Sequence, residues 1–332
     1  MKLATVLTPM TDESLRLAAQ CGVSDIVTRY PGPNLNDYRT VQKQVRDYDL
    51  QVSVIEGYLP IEKIKFGQDH DGHELTELKA AIRNMGEAQI PILCYNFMVG
   101  TDWVRTQLDV PQRGGAKVTA FRLTDAERAI KLSHDSTEDF TAVSNERVGQ
   151  DRLWQHLGRL LEEIVPVAEA AGVTLTMHPD DPPLPEFDGN GRIMCRVQDF
   201  EKLVELVPSP ANKICFCQGN FAAMGVDIPA TIRRLGPHIE YVHFRDVDGK
   251  ADAFRETFHD NGPTDMVAAM QAYADIGFEG PIRPDHVPQL FGEDDGEPGY
   301  TMKGRLFAYG YMRGLMQAVV PSSTQSTKQP KT

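Results

Sequence analysis

Along this chain, short apolar runs rich in β-branched residues alternate with stretches whose apolar positions recur at helical spacing. The first pattern predicts strands, the second amphipathic helices. Eight strands follow: residues 3–8 (LATVLT), 25–29 (DIVTR), 51–56 (QVSVIE), 91–96 (PILCYN), 173–178 (VTLTMH), 213–217 (KICFC), 239–245 (IEYVHFR) and 281–285 (PIRPD). Helices are predicted from an N-cap at Thr11, then over 35–48, 73–88, 151–171 (with Pro166 as a kink), 197–207, 228–235, 264–276 and 300–318. Residues 98–150 break the rhythm as a long loop insertion rich in charge and Gly. Strands apolar on both faces belong to a parallel sheet covered by helices. Eight such units predict an α/β fold, a (β/α)8 TIM barrel, as a single domain over residues 1–320, with a flexible polar tail at 321–332. An open doubly wound sheet is the alternative, but no Gly-x-Gly-x-x-Gly turn follows the first strand.

In such a barrel the active site forms at the C-terminal strand ends. Four successive strands end there in residues that bind metals: His178, Cys217, His243 and Asp285. Two imidazoles, a thiolate and a carboxylate suit a borderline divalent ion such as Mn, Fe, Co or Zn. Structural zinc ligands usually come in close pairs. One ligand per strand favours a functional site with room for a substrate. Singly, each residue has a bland reading: a hydrogen-bonded core histidine, a packed cysteine, a turn aspartate. The coincidence on four consecutive strands carries the inference. Asp180 and Asp181, just beyond His178, either orient it from behind or cap a turn in the Pro-rich segment. Cys215 shares the face of Cys217 and is predicted to point inward one layer below it.

The composition changes the picture only by exclusion. A length of 332 residues fits two average domains or one large barrel, and 41% hydrophobic with 24% charged residues is ordinary globular content. The net charge of −13 argues against nucleic acid and anionic membranes as partners. A small anionic substrate stays open, because a local cation reverses the field inside a site. The five cysteines are odd in number and do not form a disulfide framework. With no signal peptide pattern and no run approaching the ~20 apolar residues of a membrane span, the expected location is cytoplasmic. Exposed barrel helices leave a homo-oligomer open.

The longer motifs carry a resemblance. IKFGQD (64–69), CYNFMVGTDWVRT (94–106), MHPDDPP (177–183), FCQGN (216–220), VHFRDV (242–247), FRETFHDNGPTDM (254–266) and IRPDH (282–286), with Gly299 and Tyr300, stand in family order over residues 50–315. The chain resembles the mannonate dehydratase family, within the xylose-isomerase-like barrel group. That resemblance implies a barrel, a divalent Mn2+ or Fe2+ ion, and a small sugar acid as substrate. The implied reaction is loss of water from D-mannonate to give 2-dehydro-3-deoxy-D-gluconate in hexuronate breakdown. It assigns the metal to His178, Cys217, His243 and Asp285, and catalysis to Arg283, His286 and Tyr300. Arg283 suits a carboxylate clamp; His286 and Tyr300 suit base and acid, in either order. Tyr95 and Asn96 are candidates for substrate hydroxyls. Trp103 and Arg105 are candidates for closing over the sugar, with loop packing as the alternative. His259 matches a family histidine and is a candidate substrate contact. The match does not make Glu56 a ligand.

Two departures bear on the substrate. The first strand ends in LTPM, where the family usually carries an Arg-Trp-Tyr/Phe-Gly motif, so Arg29 and Tyr30 after the second strand are candidate replacements. After HPDDPP the chain continues LPEFDGNGRI, acidic where relatives often carry a basic residue. A dehydratase of a related aldonate, a metal-dependent sugar isomerase or epimerase, and an idle sugar-acid binder are the competing functions.

Overall fold

The computed structural model describes residues 1–132 and 146–319. The predicted tail at 321–332 and His134 lie outside the described residues. Eight parallel strands close into a barrel in chain order: Lys2–Val6, Asp25–Thr28, Gln51–Glu56, Ile92–Tyr95, Thr174–Met177, Asn212–Cys217, Ile239–Phe244 and Pro281–Pro284. The last pairs back to the first through Lys2↔Pro281 and Leu3↔Ile282. Each strand is short and apolar on both faces because one face fills the barrel and the other meets helices. Inside lie Ala4, Val6, Val27, Val54, Cys94, Cys215 and Tyr241. The alternate positions Ile214, Phe216, Val242, Phe244 and Ile282 join the outer core with Leu157, Ile164, Phe200 and Tyr273 of the surrounding helices.

The predicted starts and stops are physical. Thr11 caps the helix Asp12–Gln20 through a reciprocal pair, Ser14 N to Thr11 Oγ1 at 3.1 Å and Thr11 N to Ser14 Oγ at 2.9 Å. The helix Gln150–Ala171 continues through Pro166 and stops at Gly172, whose φ of 66° suits glycine. Two short helices escape the sequence pattern, Glu62–Phe66 and Gln218–Ala223. No helix among the described residues is long and apolar enough to cross a membrane.

The larger difference is in residues 98–150, expected as a loop. Trp103–Arg105 pairs with Ile130–Leu132, and Gln107–Pro111 with Lys117–Arg122. Lys117–Arg122 then pairs with Ala253–Glu256 of a hairpin (Val247–Lys250, Ala253–Glu256) that follows the seventh barrel strand. Two loops far apart in sequence thus make one four-stranded antiparallel sheet over the mouth. A separate apolar cluster of Val104, Phe121, Leu184, Phe187, Val247 and Phe254 holds it there.

Candidate active site and metal centre

Register brings the strand-end residues together. Cys217 sits opposite His243, and His243 opposite Arg283, across three neighbouring strands. Parallel strands of matched register and inward parity aim all three side chains into the same mouth. Asp285 follows one pleat beyond Arg283. The mouth holds an open cavity of about 530 Å3, bordered by Arg29, Glu56, Tyr95, Trp103, His178, His243, Asp285, His286 and Tyr300 among others.

The four predicted ligands converge. The donor atoms of His178, Cys217 and His243 lie within 4.8 Å of one another. Asp285 Oδ2 is 3.6 Å from His243 Nδ1 and 4.0 Å from Cys217 Sγ. The tautomers test whether a cation fits. His178 Nδ1 faces the Pro179 carbonyl at 2.7 Å, so it must donate. His243 Nε2 faces the Glu56 carboxylate at 3.1 Å, so it donates too. Burial lowers the His178 pKa and keeps its ring neutral. The remaining nitrogens, His178 Nε2 and His243 Nδ1, are then lone pairs facing each other 3.2 Å apart. Arg283 Nη2 approaches His243 Nδ1 only at 3.4 Å. Two opposed lone pairs beside a carboxylate and a sulfur form a cation site, so the residues fit a divalent ion. Burial alone would raise the Asp285 pKa, but the guanidiniums of Arg283 at 2.7 Å and Arg245 at 3.0 Å outweigh it and hold the carboxyl well below the usual range. It is therefore available as an anionic ligand. A second trio, Cys94, Cys215 and His243, lies one layer deeper in the barrel.

The predicted catalytic pair borders the ligands. His286 Nδ1 lies 2.9 Å from Glu256 Oε1, which turns Nε2 toward Asp285 Oδ1 at 3.7 Å. Trp103 stacks on the His286 ring with centroids 4.3 Å apart. The His286 backbone has a φ of 43°, which a non-glycine residue adopts at a cost of ~1–3 kcal/mol. Tyr300 Oη reaches Asp285 Oδ1 at 3.4 Å, and burial together with the Asp285 charge pushes its pKa up, so the phenol keeps its proton.

Behind His286 lies a buried charge network. Arg105 donates to both oxygens of Asp181 at 2.7 and 3.1 Å and to Glu256 at 2.6 Å; Arg245 donates to Asp181 at 2.9 Å and to Glu256 at 2.8 Å. The balance of two guanidiniums and two carboxylates is what makes such burial tolerable. Burial opposes ionisation of Asp181 and Glu256, yet Arg105 and Arg245 hold both below their ordinary values.

This geometry corrects several expectations. Arg105 does not close over the cavity: it is fully buried, bound to Asp181 and Glu256, with Nη2 3.1 Å from His286 Nδ1. Neither Asp180 nor Asp181 hydrogen-bonds His178, because the Pro179 carbonyl already takes that imidazole N–H. Asp180 instead accepts from Met194 N at 2.8 Å, and Asp181 anchors the arginines. His259 is buried behind the wall against Phe244, with centroids 6.4 Å apart, rather than lining the cavity. Tyr30 donates to Glu77 at 2.7 Å, away from the site, whereas Arg29 does border it. Tyr95, Asn96 and Trp103 line the cavity. The Asn96 carboxamide also holds its own loop, donating to Asp102 at 2.8 Å and accepting from Met98 N at 3.1 Å. Sequence reasoning missed Glu256 and underrated Glu56, which accepts from Tyr241 at 2.7 Å, Arg283 at 2.8 Å and Arg29 at 3.1 Å. The alternation Phe254-x-Glu256-x-Phe258 was the available signal for a strand with one charged side chain turned inward.

Fold and site together define a class: a xylose-isomerase-like (β/α)8 barrel with a candidate metal centre at its C-terminal mouth. Within that class the comparisons are specific. The family profile of D-mannonate dehydratase (UxuA) matches residues 9–326. The chain is 32% identical to mannonate dehydratase 2 of Halalkalibacterium halodurans, over 84% of this chain and 86% of that one. It is 30% identical to the mannonate dehydratase of Enterococcus faecalis, over 89% and 90% of the two chains. The crystal structure of mannonate dehydratase from Streptococcus suis superposes with a TM-score of 0.89 at 29% identity, covering 100% of this chain and 99% of that one. An L-ribulose 3-epimerase structure, at a TM-score of 0.62 and 14% identity, shares the fold. The chain belongs to the D-mannonate dehydratase family.

Proposed function

We propose that the protein is a metal-dependent hydro-lyase that converts D-mannonate to 2-dehydro-3-deoxy-D-gluconate and water. The observation that carries this reading is the pair of opposed imidazole lone pairs beside Cys217 and Asp285, in one cavity with His286 and Tyr300. His178, Cys217, His243 and Asp285 hold the ion, Mn2+ or Fe2+. When bound, it supplies positive charge against the substrate's oxygens and offsets the negative charge that develops in the elimination.

The chain's own residues supply the proton traffic. Glu256 fixes the His286 proton on Nδ1 and leaves Nε2 as the base for the C2 proton. The C2–H electron pair forms the C2–C3 double bond, and the C3–O bond breaks. Tyr300 gives its proton to the departing hydroxyl, which leaves as water. The enol then becomes the 2-keto acid. Trp103 covers His286 and excludes solvent from that side.

Incubating the Mn- and Fe-loaded protein with a panel of aldonates, and identifying products by mass and NMR, tests this. D-mannonate is expected to lose water. A product of unchanged mass would establish isomerisation or epimerisation instead, and turnover of a different aldonate would reassign the substrate. Full metal content in Cys217→Ala would overturn the ligand assignment.

A further inference from the structure

We propose that Arg29, rather than Arg283, is the residue that takes the carboxylate of the sugar acid. The inference rests on the aldonate reading above and names the group that recognises the substrate's charge.

Arg283 has no free edge. Its Nε donates to Tyr241 Oη at 2.6 Å, Nη1 to Asp285 Oδ1 at 2.7 Å, and Nη2 to Glu56 Oε1 at 2.8 Å. Its side chain is 2% exposed. A substrate carboxylate could displace these only by uncoupling Asp285 from the cation that balances it. Arg283 is therefore a positioning residue for Asp285 and Glu56.

Arg29 differs in each respect. It stands just beyond the second barrel strand, borders the cavity, and its side chain is 23% exposed. Only Nη1 is engaged, with Glu56 Oε1 at 3.1 Å and the Glu56 carbonyl at 3.4 Å. Among the described residues Nε is buried without a partner, and Nη2 makes no hydrogen bond. Nε and Nη2 are the parallel pair of a guanidinium, the edge that grips a carboxylate with two bonds. A buried donor left unmade is costly, and a bound carboxylate would satisfy it. The groups facing Arg29 leave its charge in surplus. Glu56 Oε1 is shared with Arg283, and Tyr58 and Tyr300 present ring faces 5.3 and 6.0 Å from the guanidinium carbon. Those rings orient the plane without using its N–H groups.

The test is calorimetric binding of D-mannonate and of D-mannitol, which has the same six-carbon chain without the charge, to the metal-loaded protein. Wild type, Arg29→Gln, Arg29→Lys and Arg283→Gln are compared, with metal content and melting measured alongside. Arg29→Gln is expected to weaken D-mannonate about 10- to 100-fold, the range of a charge-assisted pair. Its D-mannitol affinity, metal content and melting should stay at wild type. Arg29→Lys, which keeps the charge but not the fork, should lose less. The proposal is overturned if Arg29→Gln binds D-mannonate as wild type does, or loses both ligands equally. It is also overturned if Arg283→Gln gives the charge-selective loss at full metal content. A wild type that binds D-mannonate and forms no keto acid refutes the dehydratase reading while leaving the role of Arg29 standing. A wild type that binds no aldonate overturns both.

Discussion

Replacing Glu256 by glutamine removes one charge from the centre of the buried network and changes little else in shape. Glu256 accepts from Arg105 Nη2 at 2.6 Å, from Arg245 Nη1 at 2.8 and 2.9 Å, and from His286 Nδ1 at 2.9 Å. The substitution takes away a carboxylate that both guanidiniums share and leaves them Asp181, with Asp285 Oδ2 3.0 Å from Arg245 Nε. The side chains of Arg105, Arg245, Asp181 and Glu256 are at most 2% exposed, so solvent does not screen the lost charge. Breaking a buried pair of this kind costs about 3–5 kcal/mol. The second effect is on the imidazole. Oε1 is the oxygen that Arg105, Arg245 and His286 share, so a glutamine that keeps its oxygen there loses the charge behind the His286 Nδ1–H bond and sets its N–H2 against Arg245 Nη1. The imidazole loses the carboxylate that orients it and raises its basicity, so Nε2 becomes a weaker and less firmly placed base. Complete loss of a positioned base lowers kcat by roughly 10²–10⁴, and loss of its orienting carboxylate by about 10- to 100-fold. The assays are keto-acid formation from D-mannonate, metal content and urea unfolding. The expected result is a fall in kcat with KM little changed, full metal loading and an earlier urea midpoint. A Glu256→Gln protein that keeps more than about a tenth of its kcat at full metal content would refute the role of Glu256 in orienting and charging the His286 base.

Three further outcomes follow from the geometry. Glu56→Gln weakens the hold on the His243 tautomer and should lower metal affinity about 10- to 100-fold, read by competition with a chelator; unchanged affinity would exclude Glu56 from orienting His243. Burial lowers the His259 pKa to about 4, below the ~6.5 of the unfolded chain. The unfolded chain therefore binds the extra proton between those values, and stability present above pH ~6.5 is lost as pH falls toward 4, by up to about 3 kcal/mol. His178 is shifted in the same direction, so His259→Gln should shrink, not abolish, the drop in urea midpoint between pH 7 and 5; a drop equal to wild type would contradict this. Finally, a Cβ at Gly219 would lie 2.6 Å from Arg245 Nη1 and 2.8 Å from its Cζ. Arg245 is tied to Asp181, Asn220 and Glu256 and cannot give way, so Gly219→Ala should cost about 1–3 kcal/mol in urea unfolding.

The barrel was legible because each of its strands is buried on both faces and bounded by turn or helix signals, so local pattern and final environment agree. The convergence of the candidate metal residues was legible because parallel strands of equal parity align Cys217, His243 and Arg283 without long-range knowledge. The insertion was not. Gln107–Pro111 alternates exposed and half-buried positions, and its sheet is completed by residues more than a hundred positions later. A half-solvated strand whose partner is distant leaves little local signal. Glu256 was missed, and Arg105 was read as a cover for the sugar or as loop packing, for the same reason: only the pairing of the two loops buries them against each other. Both readings of Asp181, orienting His178 or capping a turn, rested on its nearness in sequence to His178, whereas its carboxylate binds Arg105 and Arg245 from distant segments.

The sheet over the mouth also limits how this site can be re-engineered or can diverge. Lys117–Arg122 donates its edge to Ala253–Glu256, and Lys117 also bridges to Gln289 beyond the eighth strand. Arg105 from one loop neutralises Glu256 from the other. Neither loop is an independent cassette. A chimera that imports the 98–132 segment of a relative without its 247–256 hairpin would strand an arginine or a glutamate in the interior. Substrate range in this barrel is therefore expected to change by paired exchange of the two segments, or by single residues on the open wall such as Arg29, rather than by swapping one loop at a time.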